Sequence, residues 1–324
     1  MQKQRGFITV ATGKYFCRLA QNLAMSYRLF SKGDYPLCAL TDRDGEKRLK
    51  KYFDDIVVLE KPTFTFMDKM DVYRLSPFEE TIFLDADMNI TRDIGFLFDE
   101  FEKTGSPVSC IGSIREITDD ARPIHFGDVA VGEYGLKSFV AFNGGIYYYK
   151  RCEEADAFFK FMFDELVPNY HRLGLKVFRE GQLADEPLIG LAMAAKGFKP
   201  LDVATDIMKY VNGPMDTFKW DIREGKCTFV RAEGVRVNPI IPHYGTHNTY
   251  SKKYVYYNTV VRSKYRGLFP PLIPFYVFGC EVRLMFAHLS RERDRRAFAS
   301  WVKAHFTKAY YVNLIKRIKS LFGR

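Results

Sequence analysis

The stretch TIFLDADMNI, residues 81–90, decides how this chain is read. Ile82, Phe83 and Leu84 form a short continuous apolar run, the pattern of a strand buried on both faces. Asp85 and Asp87 follow at once, with Ala86 between them. On a continuing strand side chains alternate, so both carboxylates would point to one side and Ala86 to the other. Two carboxylates held together at a strand's end repel, and a divalent cation offsets that most economically. Oxygen ligands suit Mg²⁺ or Mn²⁺, and an added imidazole tilts the choice to Mn²⁺. A pair of solvated loop residues or helix caps is the bland alternative, and D-x-D spacing alone does not exclude it.

Outward from this stretch, strands and helices alternate. GFITVAT (6–12) reads as a strand, residues 15–31 as a helix, YPLCALT (35–41) as a strand and 44–53 as a short helix. DIVVLE (55–60) is a third strand, 67–78 looks helical until Pro77, and TIFLDAD (81–87) closes the unit as a fourth. This alternation predicts a parallel sheet with helical layers, whose ligands bind beyond the carboxyl ends of the strands. Later, 106–112 reads as a strand and 113–135 as a loop-rich insertion. KSFVAFNGGIYYYK (137–150) reads as a strand pair or one bent strand. Helices are expected over 153–170 and 182–198. KCTFV and VRVNPIIPHY read as a β-ribbon leading to His243.

Five segments in order, FITVAT with Tyr15, DKMDVYRLSPFEETIFLDADMNITRDIGFLF, AFNGGIYYYK, ADEPLIG and PHYGTHN, resemble the retaining GT-A glycosyltransferases of the glycogenin-like and lipopolysaccharide galactosyltransferase-like group (family eight). The resemblance covers most of residues 6–250. It implies an α/β fold with a mixed, Rossmann-like sheet flanked by helices, and a Mn²⁺- or Mg²⁺-dependent hexosyltransferase using a UDP-sugar. It implies Asp85, Asp87 and His243 as metal ligands, with Asp85 also on the ribose. Ala11, Thr12 and Tyr15 would line the uridine site, Tyr15 stacking on the base, and Lys69 would reach the donor's phosphate or sugar hydroxyls. Ala86, Gly144 and Gly145 would lie along the nucleotide sugar. Asn143 would approach the sugars, and Asp185 would hold hydroxyls of the transferred sugar.

Two departures stand out. Glu186 occupies the place where many relatives carry Gln, near the anomeric carbon. It could act as a nucleophile, stabilise an oxocarbenium-like transition state, bind the acceptor, or simply favour a helix N-terminus. Retention is the course the family implies. After His243, relatives often have Lys-Pro-Trp; here Gly245-Thr246-His247-Asn248 follows. His247 would then make the phosphate contact, as a weaker cation near neutral pH.

The net charge of +10 is uneven. Residues 251–324 hold 16 Lys/Arg against 3 Asp/Glu, and residues 1–250 hold 33 against 36. A catalytic domain over 1–250 with a basic, aromatic, mainly helical extension over 251–324 is therefore expected. Within 290–324 apolar residues recur at roughly helical spacing among lysines and arginines, so this segment is a candidate for peripheral binding to an anionic membrane. A lipid-linked or glycan acceptor would fit such a location. The alternative is that the stripe packs on the catalytic body. Six scattered cysteines, no signal-like N-terminus and no apolar run of about 18 residues point to a cytoplasmic protein whose cysteines are mostly buried hydrophobes. His125, Asp119 and Asp120 read as loop residues. A nucleotidyltransferase is disfavoured because no glycine-rich, basic phosphate loop follows the first strand. A membrane- or nucleic-acid-binding adaptor would leave the DAD, FNGG and His243 segments unexplained, and no nucleic acid is expected as a partner.

Overall fold

The computed structural model describes residues 3–32, 35–117, 127–175, 183–202 and 206–267, and the single positions 272, 275, 278, 279 and 282. The chain divides into two units, Met1–Gly245 and Thr246–Arg324. The first opens with β1 (Lys3–Ala11), α1 (Gly13–Phe30), β2 (Leu37–Thr41), α2 (Arg43–Leu49) and β3 (Asp55–Val58). A 3₁₀ turn (Phe66–Asp71) and α3 (Val72–Leu75) lead to β4 (Phe78–Leu84). Then come α4 (Leu97–Glu102), β5 (Val108–Glu116), α5 (Gly127–Tyr134), β6 (Ser138–Lys150), α6 (Glu153–Phe161) and α7 (Asp185–Lys196). Shorter strands follow: β7 (Leu201–Asp202), β8 (Met208–Tyr210), β9 (Lys219–Asp221), β10 (Lys226–Val230), β11 (Arg236–Val237) and β12 (Ile241–His243). A one-turn helix, α8 (Gly245–Asn248), begins at the last residue of this unit.

Seven strands form the central sheet in the order β3-β2-β1-β4-β6-β5-β7. β1 pairs in parallel with β2 and β4, whereas β6 runs antiparallel to β4 and β5. This is the mixed, helix-flanked α/β sheet expected from the sequence. The five residues of β2 are all buried, as a strand covered on both faces requires. The chain steps outward from β1 to β2 and β3, then returns to place β4 on β1's other side. The strand order therefore reverses between β1 and β4, which makes their carboxyl ends the natural ligand crevice.

β4 stops at Leu84, so Asp85 and Asp87 lie in the turn beyond the strand rather than on it. That turn closes through Met88 N–H donating to Asp85 O at 3.3 Å. The Gly-Gly segment belongs to one bent strand, β6. Its ladder with β5 jumps from Cys110↔Tyr147 to Gly112↔Phe142, so residues 143–146 bulge out of that pairing. Bulges re-aim side chains in this way. β5 extends to Glu116 and α5 begins at Gly127, so the expected loop-rich insertion is partly regular structure; Asp119, Asp120 and His125 lie outside the described residues. β10 pairs with β9 and β11, but His243 sits on a separate parallel pair, β12 with β8. The ribbon therefore does not run into the histidine. α6 widens into a π-helical turn at Met162–Leu166 instead of continuing as α-helix to 170. α7 ends, as expected, at Gly197, whose φ of +68° is the left-handed cap glycine allows.

Cys17, Cys38, Cys110 and Cys227 are buried and free, while Cys152 is half-buried and Cys280 lies outside the described residues. In the second unit, α9 (Lys252–Tyr265) is capped by Ser251 Oγ, which accepts from Tyr254 N–H at 3.2 Å. The segment 290–324 is outside the described residues. Among the described residues no helix is long and apolar enough to cross a membrane.

Candidate metal centre

Asp85, Asp87 and His243 each offer one ligand atom, and these atoms lie within 4.8 Å of one another. Three elements bring them together. β4 delivers the two aspartates, and Asp85 N–H extends the ladder by donating to Gly145 O at 2.9 Å. The residues after the aspartates zip onto the His243 strand. Asn89 N–H donates to Pro242 O, Thr91 N–H to Ile240 O, and Tyr244 N–H to Asp87 O. His243 Nε2 then faces Asp87 Oδ1 at 2.9 Å and Asp85 Oδ2 at 3.8 Å.

The bulge in β6 supplies the next layer. Asn143 Oδ1 lies 2.6 Å from His243 Nδ1 and also accepts from Gly145 N–H at 3.3 Å. Its amide oxygen is therefore engaged with the histidine. The room left by the two glycines is taken by the site's own side chains. A Cβ on Gly144 would stand 2.9 Å from Asp185 Oδ2, and one on Gly145 would stand 2.8 Å from His243 Nδ1. α7 packs on β6, with a Cβ on Gly190 only 2.2 Å from Val140 O, and this close approach sets its first turn against Gly144. There Glu186 Oε1 accepts from Gly144 N–H at 2.7 Å.

Lys69 enters from the 3₁₀ turn. Its Nζ donates to Asp85 Oδ2 at 2.8 Å and lies 3.8 Å from Asp185 Oδ2. Asp68, one residue earlier and buried, binds the opposite way. It accepts from Thr12 Oγ1 at 2.7 Å, from Thr63 N–H and Oγ1, and from Phe64 N–H at 3.0 Å. Thr12 stands at the N-cap of α1, but its hydroxyl serves Asp68 rather than the helix. Asp42 fills that gap, accepting from Gly13 N–H at 2.6 Å and from Asp44 and Gly45 N–H. A short chain of bonds thus joins the β1 loop, the 3₁₀ turn and the DAD turn.

Electrostatics set the site's appetite. Burial pushes Lys69 down, but Asp185 and Asp85 outweigh it and hold the ammonium charged. Burial raises Asp85 above the usual carboxylate range and Asp87 adds to this, against the pull of Lys69. Burial also works against Asp87, yet His243 beside it holds that carboxylate below its ordinary value. His243 is itself raised, because Asp87 overcomes the cost of burial. Glu186 is raised by burial despite the Gly144 N–H.

Asp85, Asp87 and Asp185 are three carboxylates with little exposure, served by one lysine and one histidine. Among the described residues, Asp185 Oδ2 has no hydrogen-bond donor. Buried carboxylates in such excess are offset either by protonation or by a cation, and this cluster could hold a divalent one. Ligand atoms at about 2.1 Å from a metal lie within about 4.2 Å of each other, so the observed spacing needs only a small contraction. The donor set of two carboxylates and an imidazole fits Mn²⁺ or Mg²⁺.

Of the remaining residues singled out in the sequence, Ala86 is buried in the turn, and Ala11 ends β1 with its carbonyl accepting from Thr41 Oγ1 at 2.5 Å. Tyr15 is half-buried on the first turn of α1, with the Arg18 guanidinium 5.7 Å from its ring centre. The side chain of His247 is outside the description. Sequence reasoning missed Asp42 and Asp68, as well as Tyr210, whose ring meets His243 edge-on at 5.2 Å.

No family model matches this chain, and no curated protein matches it in sequence. Solved structures with some likeness include mouse xyloside xylosyltransferase 1 in its apo form. It is 13% identical with a TM-score of 0.45, over 76% of this chain and 99% of that one. The bifunctional glycosyltransferase WbbM, apo, is 14% identical with a TM-score of 0.45, over 76% of this chain and 47% of that one. The glycosyltransferase GlyE of Streptococcus pneumoniae TIGR4 is 12% identical with a TM-score of 0.39, over 62% and 44% respectively. Likenesses this distant leave the site to be read from its own geometry.

Proposed function

We propose that this chain is a metal-dependent glycosyltransferase that moves a hexose from a UDP-sugar to a hydroxyl on a glycan or lipid-linked acceptor, with retention. The observation that carries this reading is the convergence of Asp85, Asp87, Asp185, His243 and Lys69 at the carboxyl end of the β1–β4 crevice. Asp85, Asp87 and His243 hold the cation, Mn²⁺ in preference to Mg²⁺ because of the imidazole. When bound, the cation supplies Lewis-acid stabilisation of the diphosphate leaving group.

The chain's own residues do the rest. Lys69, kept charged by its carboxylates, meets the donor's phosphate or sugar hydroxyls. Asp185, whose Oδ2 lacks a donor among the described residues, accepts hydroxyls of the transferred sugar. Glu186, held by Gly144 N–H, is assigned the anomeric side. Ala11, Thr12 and Tyr15 border the nucleoside, the Gly144-Gly145 backbone runs along the donor while its open side holds Asp185 and His243, and His247 is assigned the phosphate. Peripheral attachment to an anionic membrane through 290–324 belongs to the same proposal.

The test is UDP release from a panel of UDP-sugars with Mn²⁺ or with EDTA. Metal-dependent release from one donor supports the reading; no release from any donor counts against it.

A further inference from the structure

Among the described residues, Phe64 is the only non-glycine residue with a positive φ, at +58°. Bulky side chains avoid that region because Cβ crowds the backbone. Its ring is nonetheless 58% exposed, so burial does not explain it. A glycine at this position would relieve the strain and lose little packing.

The conformation is held from below. Asp68, 2% exposed, accepts from Phe64 N–H and from Thr63 on one side and from Thr12 on the other. The ring rests against the β1–α1 loop, where a Cβ on Gly13 would lie 3.6 Å from Phe64 Cδ1. Phe64 therefore stands on the β3-to-β4 crossing, at the β1 side of the crevice where strand order reverses. Strained residues kept in place by their surroundings cluster at ligand sites. Tyr15, the ring expected from the sequence to stack, is half-buried and already has Arg18 over it. Phe64 is the more open of the two.

We propose that Phe64 is the platform on which the base of a nucleoside diphosphate stacks. This rests on reading the crevice as a sugar-nucleotide site, and it adds the residue that contacts the base. A flat, sequence-tolerant π-face is what such a base requires.

The experiment is calorimetric titration of UDP, and separately of inorganic pyrophosphate, into Mn²⁺-loaded wild type, Phe64→Gly and Phe64→Tyr. Phe64→Gly should weaken UDP about 5- to 150-fold, the range spanned by stacking on one base. It should leave pyrophosphate affinity unchanged and the melting temperature equal or higher, because glycine adopts a positive φ freely. Phe64→Tyr should bind UDP as wild type does. UDP affinity unchanged in Phe64→Gly, or pyrophosphate lost in parallel, overturns the platform alone. Wild type binding neither probe overturns the sugar-nucleotide reading and the platform with it.

Discussion

Asn143 Oδ1 lies 2.6 Å from His243 Nδ1 and accepts from Gly145 N–H as well. An oxygen that takes the Gly145 proton also takes one from Nδ1, which assigns the tautomer through the network. Nε2 is then left facing Asp87 Oδ1, where it accepts either a proton or a metal ion. Asn143 is thus a positioning residue for the histidine, the kind of outer partner that tunes a metal ligand. Asn143→Ala should weaken Mn²⁺ binding about 10- to 100-fold. Asn143→Asp, which keeps the acceptor, should recover most of it. The ¹⁵N signal of His243 Nδ1–H should move in the alanine variant even without metal. Unchanged Mn²⁺ affinity in Asn143→Ala would remove this role.

Among the described residues, Lys69 is the one lysine paired with the buried carboxylates of the cluster. Replacing it with Gln leaves Asp85 and Asp185 without their cation. In EDTA the loss should be about 3–5 kcal/mol, the cost of breaking a buried pair from one side. Mn²⁺ should restore part of it, so the metal-induced rise in melting temperature should be larger for Lys69→Gln than for wild type. Thermal melts with and without Mn²⁺ read this directly. An equal rise in both proteins would mean that lysine and metal do not share the same carboxylates.

Asp42 ties the β1–α1 loop to the start of α2. Burial pushes its carboxyl upward, but the N–H groups of Gly13, Gly45 and Asp44 outweigh that and hold it below the ordinary value. A depressed carboxyl stabilises the fold above its unfolded pKa of about 3.9. That contribution fades as pH falls through the lower folded value. Asp42→Asn gives up one acceptor, so it should cost about 1–3 kcal/mol at neutral pH. The gap to wild type should narrow as pH falls below the unfolded value of about 3.9 and through the lower folded one. Denaturant unfolding across this range is the check, and a gap that stays constant with pH would contradict it.

Much of the fold was legible because periodicity carries it. β-branched and apolar runs gave β1 to β4, and the alternation with helices gave the sheet. The motifs DAD, FNGG and PHY were legible as composition, but not as geometry. The aspartates converge through a turn after Leu84 and a zipped segment ending at His243, not through strand alternation. The β6 bulge that turns Asn143 inward leaves no mark in sequence beyond its two glycines. Asp42 reads locally as an N-cap of α2 and Asp68 as a loop aspartate; the partners that tie them to the site, Gly13 and Thr12, lie 29 and 56 residues away. Phe64 gave no signal at all, because nothing local announces that an aromatic will take a positive φ.

The proposed function turns on whether Asp85, Asp87 and His243 hold a divalent cation on which a nucleoside diphosphate binds. Mn²⁺ titration followed by electron paramagnetic resonance, first alone and then with UDP, tests it most directly on wild type and Asp87→Asn. Wild type should show one site, tightened by UDP, and Asp87→Asn should lose it while the fold persists. A wild type that leaves Mn²⁺ free in solution with UDP present, or a variant that binds it as well as wild type, would mean that these three residues are not a metal site.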